Sequence, residues 1–171
     1  MERLWSPWRM GYLEVTKPAG CIFCEKPRQG NDREQLILFR GAEALIMLNM
    51  YPYNNGHLMV APYRHTAELP GLTAAEGAEI TALTAFSLRL LGHAFQPDGY
   101  NLGMNLGRVA GAGFADHLHQ HVVPRWDGDT NFMPVIAGTK VLPQALFDTY
   151  DRLVAAGREL GWPGGGNRAT G

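Results

Sequence analysis

Residues 117–121 run His-Leu-His-Gln-His and continue as Val122-Val123-Pro124-Arg125. Such alternation predicts a strand over residues 117–126, with three imidazoles on one face at roughly 6.6 Å intervals and Leu118, Gln120 and Val122 on the other. A strand of this kind requires partners and leaves one sheet face for chemistry. Partners are at hand: residues 35–40 and 43–49 are Leu- and Ile-rich runs joined through Gly41-Ala42, and 57–61 and 100–107 extend the set. Thr73-Ala74-Ala75-Glu76 has capping-box spacing and opens a predicted helix over 73–94. Leu146, Tyr150, Leu153, Val154 and Gly157 recur at helical spacing within a second helix, predicted over 143–160. Strands, helix, strands and helix in that order predict an α+β domain: a mostly antiparallel five-stranded sheet with two main helices on one face.

The 171 residues are 46% hydrophobic, enough for one domain with a sizeable core, expected over residues 1–160 including an N-terminal extension. The Gly-rich end, Gly161-Trp162-Pro163-Gly164-Gly165-Gly166 onward, is expected to be a disordered tail over 161–171. Fifteen Lys and Arg against 16 Asp and Glu leave a formal charge of -1. No basic field points to a nucleic-acid or membrane partner, so an anionic ligand must be held by local geometry. The absence of a signal-peptide pattern and of a spanning apolar run makes a cytoplasmic location the expectation.

Three histidines on one face are hard to explain as packing, whereas His93 alone in the long helix is more simply structural. Two chemistries suit the triple. Three neutral imidazoles can hold a catalytic metal, with a carboxylate such as Asp116 behind them. Alternatively, the central imidazole is a nucleophile whose neighbours position a phosphate. Cys21 and Cys24 are the only cysteines, and their C-x-x-C spacing reads as a metal half-site or a redox pair.

His117 to Val123 resembles the His-φ-His-φ-His-φ-φ signature of the histidine triad (HIT) superfamily. The resemblance extends to Asn49 and to Gly56-His57-Leu58-Met59-Val60-Ala61-Pro62. It also takes in Met104-Asn105-Leu106-Gly107, Trp5-Ser6-Pro7-Trp8-Arg9 and Pro124-Arg125-Trp126. It covers about residues 3–155 and looks nearest to the diadenosine tetraphosphate phosphorylase-like, or Fhit-like, branch. It implies a nucleotide phosphorylase (an adenylyltransferase) or hydrolase that cleaves diadenosine polyphosphates or related adenine nucleotides at the α-phosphate. The catalytic set would be His119 as the nucleophile forming a nucleotidyl intermediate, His121 and His57 flanking the phosphate, and His117 as a candidate acid. Nucleotide binding would fall to Asn49 (ribose), His57, Asn105, the backbone of Gly111 and Gly113, His119 and His121. A HIT-like sheet continued across a homodimer is implied as well, with Trp5, Trp8 and Trp126 as candidates for cover or base stacking.

In a subset of the family, Cys2His2 sites hold zinc, and Cys21, Cys24, His65 and His117 resemble such a site. This implies one structural zinc per chain and no organic cofactor. A zinc-bound His117 is not available as a proton donor. Phe114 stands where many members carry Ser or Thr near the leaving group, which puts leaving-group assistance in question. The alternative from another class is a non-catalytic zinc- and AMP-binding module.

Overall fold

The computed structural model describes residues 20–129 and 144–165. Nine elements of regular structure carry the argument. They are α1 (Ile22–Glu25), α2 (Asp32–Gln35), β1 (Ile37–Arg40), β2 (Ala44–Leu48), β3 (Leu58–Pro62), α3 (Ala74–Phe95), β4 (Gly99–Met104), β5 (Gln120–Arg125) and α4 (Leu146–Leu160). The strands form one antiparallel sheet in the order β1-β2-β3-β5-β4. This is the α+β, five-stranded architecture expected. The two short helices before β1 were not anticipated, because four-residue turns carry no periodicity to detect.

Over β1, β2 and β3 both faces of the sheet are buried, and by different material. On one face Leu38, Ile46, Leu48, Leu58, Val60 and Val122 meet Ile80, Leu83, Leu90 and Leu91 of α3 and Leu153 and Ala156 of α4. On the other, Ile37, Leu45, Met47, Met59 and Ala61 are covered by Phe23 of α1, with Cys21, Ile22, Tyr63 and Phe114 at the margin. The alternation of β2 therefore separates two cores rather than a core from solvent, which explains why Ala44–Leu48 is buried throughout.

Helix α3 begins as its sequence predicts. The Thr73 hydroxyl accepts from the Glu76 N–H (3.2 Å), and the Glu76 carboxylate accepts from the Thr73 N–H (2.8 Å). Another glutamate of α3, Glu79, holds the β1–β2 turn by accepting from the N–H groups of Ala42, Glu43 and Ala44. Gly41 is required there: a Cβ would stand 2.6 Å from the Glu79 carboxylate and 2.8 Å from the Ala44 carbonyl.

Two strand ends differ from expectation by three residues each. Strand β5 starts at Gln120 rather than at residue 117, because the Leu118 N–H leaves the ladder and donates to the Thr66 carbonyl (2.6 Å). Strand β4 ends at Met104, opposite Gln120, where its partner begins. The loop 51–56 between β2 and β3 buries Asn54 and Asn55.

The C-terminal segment also departs from expectation within the described residues. Trp162 is 7% exposed and stacks on Phe39 (5.5 Å, 8°), with Phe86 at 5.5 Å. Gly157 makes the space, since a Cβ there would lie 2.1 Å from the indole. A large apolar ring close to a helix end outweighs the glycines around it. Residues 166–171, and with them the rest of the expected tail, lie outside the described residues, as do Trp5 and Trp8. Trp126 is half-buried, and its ring N–H donates to the Phe95 carbonyl at the end of α3 (3.4 Å). No helix among the described residues is long and apolar enough to cross a membrane.

Candidate active site and metal cluster

Four histidines collect on the sheet face opposite the long helices. His57 precedes β3, His121 lies in β5, and His117 and His119 lie in the extended segment that leads into β5. All four are buried, with His57 fully so. Met59 pairs with His121, and His57 shares the Met59 face two residues earlier.

Backbone groups fix the protons. The Tyr53 N–H can only donate, and it reaches His57 Nδ1 (3.1 Å). His57 therefore carries its proton on Nε2 and donates it to His121 Nδ1 (2.9 Å), which leaves the His121 proton on Nε2. The His117 carbonyl can only accept, and it takes the His119 Nδ1–H (2.8 Å). That leaves a lone pair on His119 Nε2, the form an attacking imidazole needs. Burial lowers the His119 pKa below its ordinary value and favours the neutral ring. His119 is packed between Phe23, stacked at 4.7 Å and 29°, and the edge of His121 at 4.7 Å and 75°.

The loop before β3 aims this relay. Asn54 Nδ2 donates to the Pro124 carbonyl (3.1 Å) and to Asp129 (2.8 Å), while Asn55 Oδ1 accepts from the Thr149 hydroxyl (3.1 Å). Two adjacent residues thus tie the loop to β5 and α4 directly after Tyr53, whose N–H is held in place. The Tyr53 ring lies 4.6 Å from His57. Asn49 Oδ1 accepts the Tyr51 N–H (2.9 Å), and its Nδ2 meets His57 Nδ1 (3.3 Å). Asn49, expected at a ribose, is thus first of all a support for His57.

The other expected binding residues divide. Asn105 is half-buried and directly follows β4, whose last residue, Met104, pairs with Gln120 next to His119. The Gly111 N–H, expected to face an anion, is occupied by the Arg108 carbonyl (3.1 Å) in a left-handed turn at φ 87°. Gly113 follows in the same partly exposed loop. Phe114 packs edge-on against Phe23 (6.1 Å, 83°) and belongs to the second apolar core. Asp116 is exposed.

His117 sits apart from the other three imidazoles in its partners. Its Nε2–H donates to the Pro62 carbonyl (2.9 Å), and Nδ1 lies 3.2 Å from Cys21 Sγ, 3.5 Å from Cys24 Sγ and 3.3 Å from His65 Nδ1. Both ring nitrogens are thus engaged, Nε2 by the Pro62 carbonyl and Nδ1 by the cysteine and histidine side chains around it. Burial lowers its pKa, which suits a neutral ligand. Cys24 Sγ stands 3.3 Å from His65 Nδ1, and all four donor atoms lie within 4.8 Å of one another. A tetrahedron with Zn–S near 2.3 Å and Zn–N near 2.0–2.1 Å has S–N and N–N edges of roughly 3.3–3.6 Å, so the donor set fits a tetrahedral ion. The Pro62 carbonyl supplies the outer contact that orients a ligating imidazole. Burial and then the neighbouring Cys21 sulfur hold the Cys24 thiol above its ordinary pKa, crowding that a cation relieves.

Two contributors were missed from sequence. Phe23 is a single apolar residue with no pattern of its own, and Tyr53 acts through its backbone, which no side-chain pattern reveals.

The comparisons with known proteins agree with this geometry. Residues 31–128 match the HIT domain model. The chain is 47% identical over 159 residues to an AP-4-A phosphorylase of Mycobacterium tuberculosis, covering 87% of this chain and 80% of that protein. It is 32% identical over 112 residues to an uncharacterized HIT-like protein of Methanocaldococcus jannaschii, covering 64% and 81%. Among solved structures, it resembles a Zn-bound histidine triad family protein from Mycobacterium smegmatis with TM-score 0.65 and 24% identity, covering 82% and 95%. A hypothetical histidine triad nucleotide-binding protein from Sulfolobus tokodaii has TM-score 0.63 and 25% identity, covering 81% and 90%. On the matched domain, the identity and the fold together, the chain belongs to the HIT family.

Proposed function

We propose that this chain is a nucleotidyl-transferring enzyme acting on diadenosine polyphosphates or related adenine nucleotides. His119 Nε2 attacks the α-phosphorus, a nitrogen–phosphorus bond forms as the bond to the bridging oxygen breaks, and the remaining nucleotide leaves. An acceptor then displaces His119: phosphate yields ADP and water yields AMP. The observation that carries the reading is the bond from His119 Nδ1–H to the His117 carbonyl, which fixes the nucleophilic tautomer.

In this reading, His121 Nε2–H donates to a phosphate oxygen as charge develops there, and His57 holds His121 in that tautomer. Asn105 offers an uncharged amide to the same phosphate. Asn49 keeps one amide hydrogen and one carbonyl lone pair for ribose hydroxyls. The 47% identity to a protein named AP-4-A phosphorylase favours diadenosine tetraphosphate as substrate and phosphate as acceptor.

Cys21, Cys24, His65 and His117 would hold one zinc per chain. When bound, the ion supplies a structural cross-link between α1, the segment after β3 and the triad. A homodimer joined along β4 belongs to the same reading. That strand is a sheet edge with Leu102 exposed, and Leu106 and Val109 follow it into solvent.

The test is incubation with diadenosine tetraphosphate, with and without phosphate. ADP plus ATP in phosphate supports a phosphorylase. AMP plus ATP regardless of phosphate makes it a hydrolase. No turnover contradicts the enzyme reading and returns the chain to a binding module.

A further inference from the structure

Phe23 sits inside the C-x-x-C and reaches the triad. Its side chain is 1% exposed, its ring stacks on His119 (4.7 Å, 29°), and it lies against His117 (5.1 Å, 39°). The turn that carries it, α1, is four residues long, with the Cys24 and Glu25 N–H groups both donating to the Cys21 carbonyl (3.0 and 2.9 Å). One helical turn has no stability of its own. Two things hold it down: burial of Phe23 among Ile37, Leu45, Met47, Met59 and Ala61, and the sulfurs at its two ends, which meet His117 and His65 at 3.2–3.5 Å.

His119 needs what Phe23 provides. The hydrogen bond to the His117 carbonyl sets its tautomer but leaves the ring able to rock about that bond. A flat, buried partner at stacking distance fixes the plane and so the direction of the Nε2 lone pair. The geometry points to Phe23 as a positioning residue for His119, with the Cys21, Cys24, His65 and His117 cluster as the clamp that holds Phe23 in place, so that metal occupancy of the cluster governs how well the imidazole is aimed. This inference rests on His119 being the nucleophile. It makes the metal cluster and the reacting imidazole one mechanical unit, although no ligand of the cluster touches substrate.

The test is Phe23→Leu, which keeps apolar bulk and removes the plane. A misaimed reacting atom costs on the order of 100-fold, so kcat falls about 100-fold while KM for diadenosine tetraphosphate stays within about twofold. Zinc content is unchanged. The His119 ring protons, held over the face of Phe23 in the wild type, lose their upfield ring-current shift in the NMR spectrum. Stripping the metal from the wild type, below the melting temperature of the stripped protein, produces the same resonance shift and the same loss of kcat. Stripping Phe23→Leu adds little to either, because coupled groups are not additive.

Cys24→Ser breaks the clamp without touching Phe23 and gives the resonance shift again, which decides the matter if Phe23→Leu does not fold. The inference is overturned if Phe23→Leu leaves kcat and the His119 resonances at wild-type values, or if it raises KM alone. It is equally overturned if stripping lowers kcat by the same factor in wild type and variant. Should the wild type form no nucleotidyl adduct, the nucleophile reading fails, while the resonances still report whether Phe23 holds His119.

Discussion

At the scale of single residues, the site is a set of proton assignments made by the backbone. Tyr53 N–H, the His117 carbonyl and the Pro62 carbonyl each face one imidazole nitrogen, and together they fix the proton on Nε2 in His57 and His117 and on Nδ1 in His119. The triad and the C-x-x-C were plain in the sequence because they are side-chain patterns. The division of labour was not, because what separates His119 from His117 is which carbonyl each ring meets. His57→Phe preserves the planar bulk next to Tyr53 and removes the relay to His121. Loss of one positioned proton-handling group costs about 10²–10⁴-fold. Steady-state kinetics should therefore show kcat lowered within that range at unchanged zinc content, whereas activity within about tenfold of wild type would leave His57 without a part in the reaction.

At the scale of elements, the long helix and the places of the five strands along the chain follow from strong local signals, and the failures fall where a long-range contact overrides one. Alternation continues to His117, but a bond from Leu118 to Thr66 delays β5 until Gln120. The start of α3 shows both kinds of signal at once: the Thr73–Glu76 box is local, while Arg64 reaches Glu76 from the segment after β3 with two 2.7 Å bonds. The arginine, and then the Thr73 N–H, hold the Glu76 carboxyl down at about 2 against its ordinary 4.5. A carboxylate with a depressed folded pKa contributes stability that is fully present above 4.5 and fades as pH falls toward about 2. Glu76→Gln should accordingly melt below the wild type at neutral pH, with the gap closing across that acid window. A gap that stays constant down to pH 2 would mean that the ionised carboxylate is not what anchors the helix.

At the scale of the whole molecule, two cores sandwich the sheet, and each depends on a segment that composition undersells. Gly-rich sequence around Trp162 reads as a tail, yet the indole closes the core between Phe39 and Phe86 over Gly157. Removing a buried ring of this size costs about 3–5 kcal/mol. Trp162→Ala should lose stability of that order in urea unfolding, and Trp162→Phe much less, since the buried indole N–H has no hydrogen-bond partner among the described residues. A silent Trp162→Ala would show that the segment does not pack. The opposite core is closed by Phe23, which brings the cysteine pair and the imidazoles to one place. Within that site the bond from His119 Nδ1–H to the His117 carbonyl is the basis for reading the chain as a covalent nucleotidyl-transfer enzyme, and the adduct itself tests it most directly. Diadenosine tetraphosphate is added without phosphate, the reaction is quenched in alkali within one turnover, and the digested protein is mapped by mass spectrometry. The account predicts a single adenylyl group on His119, absent from His119→Asn; an active enzyme with no adduct, or with the group on another residue, would contradict it.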